Sequence, residues 1–169
     1  VQKMVMGNRS KRSGSGVVFT HNPKLKKPGV NLYGDFTLCS QGEDIVSGLV
    51  YPLPISESQR VDDYNDSEIS LETAFPSIYQ RLRELARELI EKHGFNNQEI
   101  EFTFESECPE DLYILQIREQ NILVSEKVAV FKTDPAKMEL IGKGIGVGGG
   151  CLSGVVSFNM RDLEENRQR

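Results

Sequence analysis

Glu99, Glu101, Gln116 and Arg118 are the residues of this chain whose types and spacing best suit chemistry. The glutamates alternate with apolar residues in Glu99-Ile100-Glu101-Phe102-Thr103-Phe104-Glu105. In a strand, that alternation puts Ile100, Phe102 and Phe104 on one face and the glutamates and Thr103 on the other. In Leu112-Tyr113-Ile114-Leu115-Gln116-Ile117-Arg118, Gln116 and Arg118 share a face at the end of an otherwise apolar run. The connection between the two segments is short and acidic. Paired as a hairpin, they would set carboxylates beside an amide and a guanidinium. Oxygen donors of this kind hold Mg²⁺, and a guanidinium forks onto phosphate oxygens. The same alternation also describes an ordinary half-buried strand with a wet face. The residues alone leave both readings open.

The elements that must position these residues are legible in outline. Residues 1–6 read as a strand, 7–16 as a Gly/Ser/Arg/Lys loop, 16–20 as a second strand and 30–39 as another. Gly14 and Gly16 fit either a close approach to phosphates or a hairpin turn. Gly42 to Gly48 is helix-like, opened by Glu43 and Asp44, which suit a helix start. Residues 56–73 are acidic and polar without a clear period, and read as a surface excursion. Phe75 to His93 is the clearest helix, with Phe75, Ile78, Tyr79, Leu82, Leu85, Ala86, Leu89 and Ile90 at helical spacing. Gly94 ends it, and His93 sits at its carbonyl end. Residues 119–139 are less regular, with strand-like pieces at Val124 and from Val128 to Phe131. Six glycines follow Leu140 within eleven residues. No lysine or serine sits among them where a P-loop needs one, so they read as a domain entry and bend. The tail from Arg161 to Arg169 reads as frayed or cut off. The fold class is α+β, a mostly antiparallel sheet with one long helix.

Composition narrows the function. The chain has 169 residues, enough for one domain and the start of a second. No apolar run approaches the roughly 20 residues of a membrane span, and no signal-peptide pattern opens the chain. Cys39, Cys108 and Cys151 are scattered, without zinc spacing. Reduced thiols and a cytoplasmic location are expected. From Val1 to Gly34 there are seven basic residues and no acidic one. All 25 acidic residues follow. A basic segment facing an acidic body either attracts polyphosphate or is a solvated loop. Nucleic acid is not expected, because the chain is acidic overall and the basic stretch lacks interleaved aromatics.

Several stretches in one order resemble the nucleotide-binding region of the pyruvate, phosphate dikinase and phosphoenolpyruvate synthase family. They are Val1 to Asn8, Ser13-Gly14-Ser15-Gly16-Val17-Val18-Phe19-Thr20-His21-Asn22-Pro23, Leu32-Tyr33-Gly34-Asp35-Phe36 and Gln41-Gly42-Glu43-Asp44-Ile45-Val46-Ser47-Gly48. The glutamate strand and Leu115-Gln116-Ile117-Arg118 follow. Gly144 to Val156 resembles the glycine-rich entry to the family's phosphohistidine domain. The resemblance implies the C-terminal half of an ATP-grasp nucleotide-binding domain over 1–125, with 56–73 as a surface insertion. Residues 126–169 would be a linker and the beginning of the phosphohistidine domain. The opening without Met fits an excised fragment. An N-terminal ATP-grasp subdomain, the rest of the phosphohistidine domain and a phosphoenolpyruvate/pyruvate barrel are the partners implied. A homodimer through regions outside this chain is compatible with the resemblance.

By resemblance, the ligands are ATP and Mg²⁺. Glu101 and Gln116 would hold the metal, and Arg118 and Glu101 would be catalytic. Gln2, Lys3, Met4, Val5, Gly14, Gly16, Glu99, Glu101, Gln116 and Arg118 would contact the nucleotide, with Gln2 to Val5 lining the adenine. The full-length activity implied is phosphorylation of a carrier histidine from MgATP and transfer to pyruvate, giving phosphoenolpyruvate, AMP and diphosphate. The isolated chain would be inactive. His21 stands where the family usually has arginine, Asp35 where it has glutamate, and Glu99 where it has aspartate. A sister phosphotransferase with another acceptor (water, an antibiotic or a glucan hydroxyl) and a non-catalytic nucleotide-binding relative are the alternatives.

Overall fold

The computed structural model describes residues 3–25, 29–41, 50–64, 67–120, 134, 137–139 and 155–167. The chain forms two compact units, Val1–Ile122 and Leu123–Arg169. The first holds a five-stranded antiparallel sheet: β1 (Gly14–Phe19), β2 (Tyr33–Leu38), β3 (Leu53–Pro54), β4 (Gln98–Phe104) and β5 (Leu112–Glu119). Their spatial order is β3-β2-β1-β4-β5. With its helices this is an α+β arrangement.

Alternation decides which face is buried. Val18, Phe36, Ile100, Phe102 and Phe104 are all at most 1% exposed and lie on one face. Helix α3 (Pro76–Arg87) covers that face with Ile78, Leu82 and Ala86, each completely buried. Phe75 caps the stack, 5.0 Å from the Phe104 ring and 6.3 Å from Phe36. A π turn, Glu88–Lys92, continues α3, and Gly94 closes it at a φ of +68° that favours glycine.

Gly14 and Gly16 lie inside β1, not in a loop, because the strand begins two residues before the expected one. The reason for glycine there is room. A Cβ on Gly16 would stand 2.7 Å from the Phe102 ring and 2.6 Å from the Asp35 carbonyl oxygen. One on Gly14 would stand 2.9 Å from the Phe104 ring and 2.3 Å from the Thr37 carbonyl oxygen. The phenylalanines of β4 lean across β1 and occupy the space that side chains would need.

Two further expectations are corrected. Residues 3–6 form no strand. Met6 N–H goes instead to the Glu105 carboxylate at 2.9 Å, and Lys3 Nζ to the Tyr113 hydroxyl at 2.8 Å. Residues 56–73, expected as a surface excursion without a period, are helical over part of their described length and fastened to the sheet. They form α1 (Glu57–Asp63) and α2 (Leu71–Ala74), capped by Ser56 and Ser70. Leu71 is fully buried. Gln59, only 2% exposed, adds a rung to β2. Its amide donates to Gly34 O at 2.8 Å and accepts from Gly34 N–H at 3.1 Å. These helices were illegible because each buries a single residue of its own, Gln59 in α1 and Leu71 in α2, too few to leave a period.

The helix-like segment 42–48 and the glycine-rich stretch after Leu140, up to Gly154, lie outside the described residues. In the second unit, the expected frayed tail is helical over α4 (Met160–Arg167). Asn159 Oδ1 accepts from Asp162 N–H at 3.0 Å, and the Asp162 carboxylate accepts from Phe158 N–H at 3.2 Å.

Candidate functional site

The face of the sheet turned away from α3 is polar, and its residues stand in register. One row across it reads Arg118, Glu99, Phe19 and Tyr33, from β5 to β2. The next reads Gln116, Glu101, Val17 and Asp35. A third reads Tyr113, Thr103, Ser15 and Thr37. Glu99, Glu101, Gln116 and Arg118 thus share one face, since directly opposed residues of an antiparallel pair project the same way.

A β-bulge makes this possible. Between Glu101 and Phe102 the partner on β5 jumps from Gln116 to Ile114, leaving Leu115 unpaired and 54% exposed. Without the extra residue, Leu112, Ile114, Gln116 and Arg118 would all face one way. With it, Leu112 and Ile114 join the apolar face, and Tyr113, Gln116 and Arg118 join the polar one. Bulges re-aim side chains in this manner.

The guanidinium of Arg118 hydrogen-bonds the Glu99 carboxylate and lies 4.0 Å from the Glu101 carboxylate. The hydrogen bond and charge of Glu99, and then the charge of Glu101, push the arginine pKa up. Arg118 is held, but its side chain remains 55% exposed and can exchange partners. Glu101 and Gln116, directly opposed, offer hard oxygen donors. They fit Mg²⁺, which keeps several waters and takes only one or two protein ligands beside substrate phosphates. They make no closed cage, and among the described residues no group of three or more His, Cys, Asp or Glu is arranged to hold a metal.

One end of the face is walled by the segment before β1. Glu105, 8% exposed, accepts from Met6 N–H and pairs with Arg9 at 3.1 Å. Lys3 bonds Tyr113, and Met4 is 74% exposed. Val5 is half-buried, and Gln2 lies outside the described residues. Gly14 and Gly16 sit in β1 among the rings of the apolar face. Packing against Phe102 and Phe104 explains them, and neither has positive φ. The His21 carbonyl accepts from Gln120 at 3.0 Å. Glu43 and Asp44 lie outside the described residues. A cavity of about 690 Å³ opens between α3 and β5 on the apolar side and includes none of these residues.

The other flank was not read as a site from sequence. Tyr64, just after α1, donates its hydroxyl to Asp35. Burial raises the Asp35 pKa; the Tyr64 hydrogen bond opposes this and the charge of Asp63 adds to it. Burial, followed by Asp35, pushes the Tyr64 phenol up strongly. Asp63 accepts from the Tyr33 hydroxyl at 3.1 Å and pairs with Lys24. The signal in the sequence was slight: Tyr33 and Asp35 alternate along β2, but nothing there indicates that α1 reaches them.

Cys39 and Cys108 are exposed and free, and Cys39 has a φ of +50°. Among the described residues no helix is long and apolar enough to cross a membrane.

No family model matches the chain. Curated relatives do. Pyruvate, phosphate dikinase of Rickettsia typhi is 32% identical over 195 aligned positions, covering 98% of this chain and 21% of the relative. The Clostridium symbiosum protein of the same name is 39% identical over 118 positions, 70% of this chain and 11% of the relative. Chloroplastic pyruvate, phosphate dikinase of Flaveria trinervia is 35% identical over 118 positions, 70% of this chain and 10% of the relative. The chain spans about a fifth of the length of the Rickettsia relatives it matches. By these likenesses the chain belongs to the pyruvate, phosphate dikinase family.

Proposed function

We propose that this chain is part of the ATP-binding region of a pyruvate, phosphate dikinase-like phosphotransferase, the C-terminal subdomain of an ATP-grasp fold. The observation that carries this reading is the register of β4 and β5. It puts Glu101 opposite Gln116 and Glu99 opposite Arg118 on one polar face, in a chain whose relatives are named dikinases. The second unit is assigned to the linker and the start of the phosphohistidine domain.

Phosphoryl transfer depends chiefly on positioning and charge neutralisation. Glu101 and Gln116 would hold Mg²⁺, which supplies charge neutralisation to the phosphates when bound. Arg118 turns from Glu99 toward phosphate oxygens and binds them through its planar fork. Glu99 keeps that guanidinium over the face. Met4 and Val5 offer an apolar surface at the walled end for a base. The opposing ATP-grasp subdomain and the carrier histidine would lie outside these residues, so the chain alone would bind nucleotide weakly or not at all and turn none over. Half a cleft lacks both contacts and preorganisation.

The test uses the full-length protein containing this chain. Glu101→Ala or Arg118→Ala should lower ATP-dependent phosphorylation of the histidine by roughly a hundredfold or more, the usual loss for one preorganised charge contact. Exchange between phosphoenolpyruvate and pyruvate should persist. Loss of both half-reactions in a folded variant would make the residues structural, and loss of neither would place the nucleotide elsewhere.

A further inference from the structure

Arg118 has a counterpart at the far end of its own row. Across the sheet, the row runs from Arg118 and Glu99 over Phe19 to Tyr33. Lys24 lies over the Tyr33 ring, its Nζ 5.6 Å from the centroid, and pairs with Asp63. Each end therefore holds a cation against a carboxylate. The arginine side chain is 55% exposed and the lysine 57%, so both present donors to solvent. Between them, Val17 and Phe19 form an uncharged, half-buried ridge.

The lysine is not on a loose arm. Its own N–H donates to Asn22 Oδ1 at 2.9 Å, and Leu25 N–H donates to Asn22 O at 3.0 Å, closing a turn. Its partner Asp63 ends α1, which Gln59 fastens to Gly34 of β2. Tyr33 and Tyr64 tie the same end of α1 to the polar face through Asp63 and Asp35. Both partners of the pair are thereby fixed relative to the sheet.

β5 and β2 are three strand spacings apart, roughly 14 Å between backbones. Two long cationic side chains reaching inward from such a distance suit a chain of linked phosphates better than a single phosphate. We propose that Lys24 is a second polyphosphate-binding cation, gripping the opposite end of the phosphate chain from Arg118. This rests on the reading of the polar face as the nucleotide face. The carboxylates are exchangeable holders: phosphate oxygens displace Asp63 from Lys24 as they displace Glu99 from Arg118, and no covalent step is involved. Lys24 belongs to the acid-free basic stretch before Gly34, and this gives one member of that stretch a ligand.

The test is a metal-free NMR titration of the 169-residue chain at low ionic strength, with sodium tripolyphosphate and, separately, orthophosphate. Tripolyphosphate should bind more tightly and shift the amide signals of Phe19, Lys24, Tyr33, Glu99 and Arg118. Lys24→Gln should weaken tripolyphosphate about five-fold, the upper range for a partly exposed ion pair, and remove most of its advantage over orthophosphate. Lys24→Arg should retain it. If Lys24→Gln lowers thermal stability but leaves tripolyphosphate affinity unchanged while Arg118→Gln abolishes it, Lys24 is only a staple between the turn and α1. The inference then falls and the nucleotide reading stands. If no binding is seen, the Lys24 inference falls; if neither variant changes the affinity, or if the shifts cluster elsewhere, both fall.

Discussion

The two faces of β4 differ in what selects their residues. Ile100, Phe102 and Phe104 are at most 1% exposed and packed under α3. Glu99 and Glu101, one residue out of step, are only partly buried, their side chains 17% and 36% exposed, and point at Arg118. The same contrast runs through β1, where Val18 is fully buried while Val17 and Phe19 are only half-buried. On the apolar face, shape and volume decide, because interiors are close-packed and missing contacts are not replaced. On the polar face, position and charge decide, and water tolerates many side chains. The strands therefore carry two independent demands with a period of two. The Leu115 bulge lets β5 meet both, by changing phase between its apolar half and its polar half.

The sharpest way to break this comparison is to mutate neighbours on opposite faces. Phe102→Ala empties space beside Gly16 and Phe104, and should destabilise the fold by about 3–5 kcal/mol in urea denaturation. Glu101→Gln, one residue away, should change stability by no more than about 0.5 kcal/mol, although it removes a proposed metal ligand. Equal losses would mean that Glu101 is structural and the two faces are not separable.

Gly16→Ala probes the boundary between the faces. The new Cβ meets a backbone oxygen at 2.6 Å and the Phe102 ring at 2.7 Å. The ring can shift but the strand cannot, so overpacking should destabilise by roughly 1–3 kcal/mol. Gly16→Ala combined with Phe102→Leu should recover only part of that. A Gly16→Ala protein of unchanged stability that no longer bound tripolyphosphate would reverse the assignment, making the glycine a ligand contact rather than a packing site.

These contrasts also explain what could be read in advance. The long helix and β4 were legible because many residues repeat one period, so the error of any one is averaged out; β5 was legible as an apolar run, and the hairpin from the short acidic link, without the phase change at Leu115. The grouping of Glu99, Glu101, Gln116 and Arg118 followed from that hairpin alone. The start of β1 was misplaced because Gly14 and Gly16 signal a turn locally, whereas the rings of Phe102 and Phe104, far along the chain, are what require glycine. Helix α1 escaped because Gln59 attaches it through hydrogen bonds to Gly34, and hydrogen bonds leave no hydrophobic pattern. With α1 unread, the Tyr64–Asp35 and Lys24–Asp63 contacts could not be anticipated. Non-local causes hide from a local pattern.

The smallest expected effect separates the two flanks of the polar face by pH. Asp35 is half-enclosed by Tyr64 and β3, and burial raises its carboxyl above the ordinary 3.8. A carboxyl whose folded pKa is raised favours folding in its protonated form. Its contribution is fully present below 3.8 and is lost as pH rises through the higher folded value. Above that value an ionised Asp35 weighs against the fold, relieved in part by the Tyr64 hydroxyl. Asn at this position keeps an oxygen for Tyr64 and cannot ionise. The stability of Asp35→Asn relative to the parent should therefore rise with pH through that window and then level off. Urea midpoints of both proteins from acid to neutral pH measure it, and the difference between them cancels the titration of every other carboxylate that the substitution leaves undisturbed. A falling Asp35→Asn difference would mean that Tyr64 and the neighbouring dipoles stabilise the anion more than burial penalises it. The Asp35 flank would then be a charged wall beside the ridge of Val17 and Phe19, like the flank of Glu99 and Glu101.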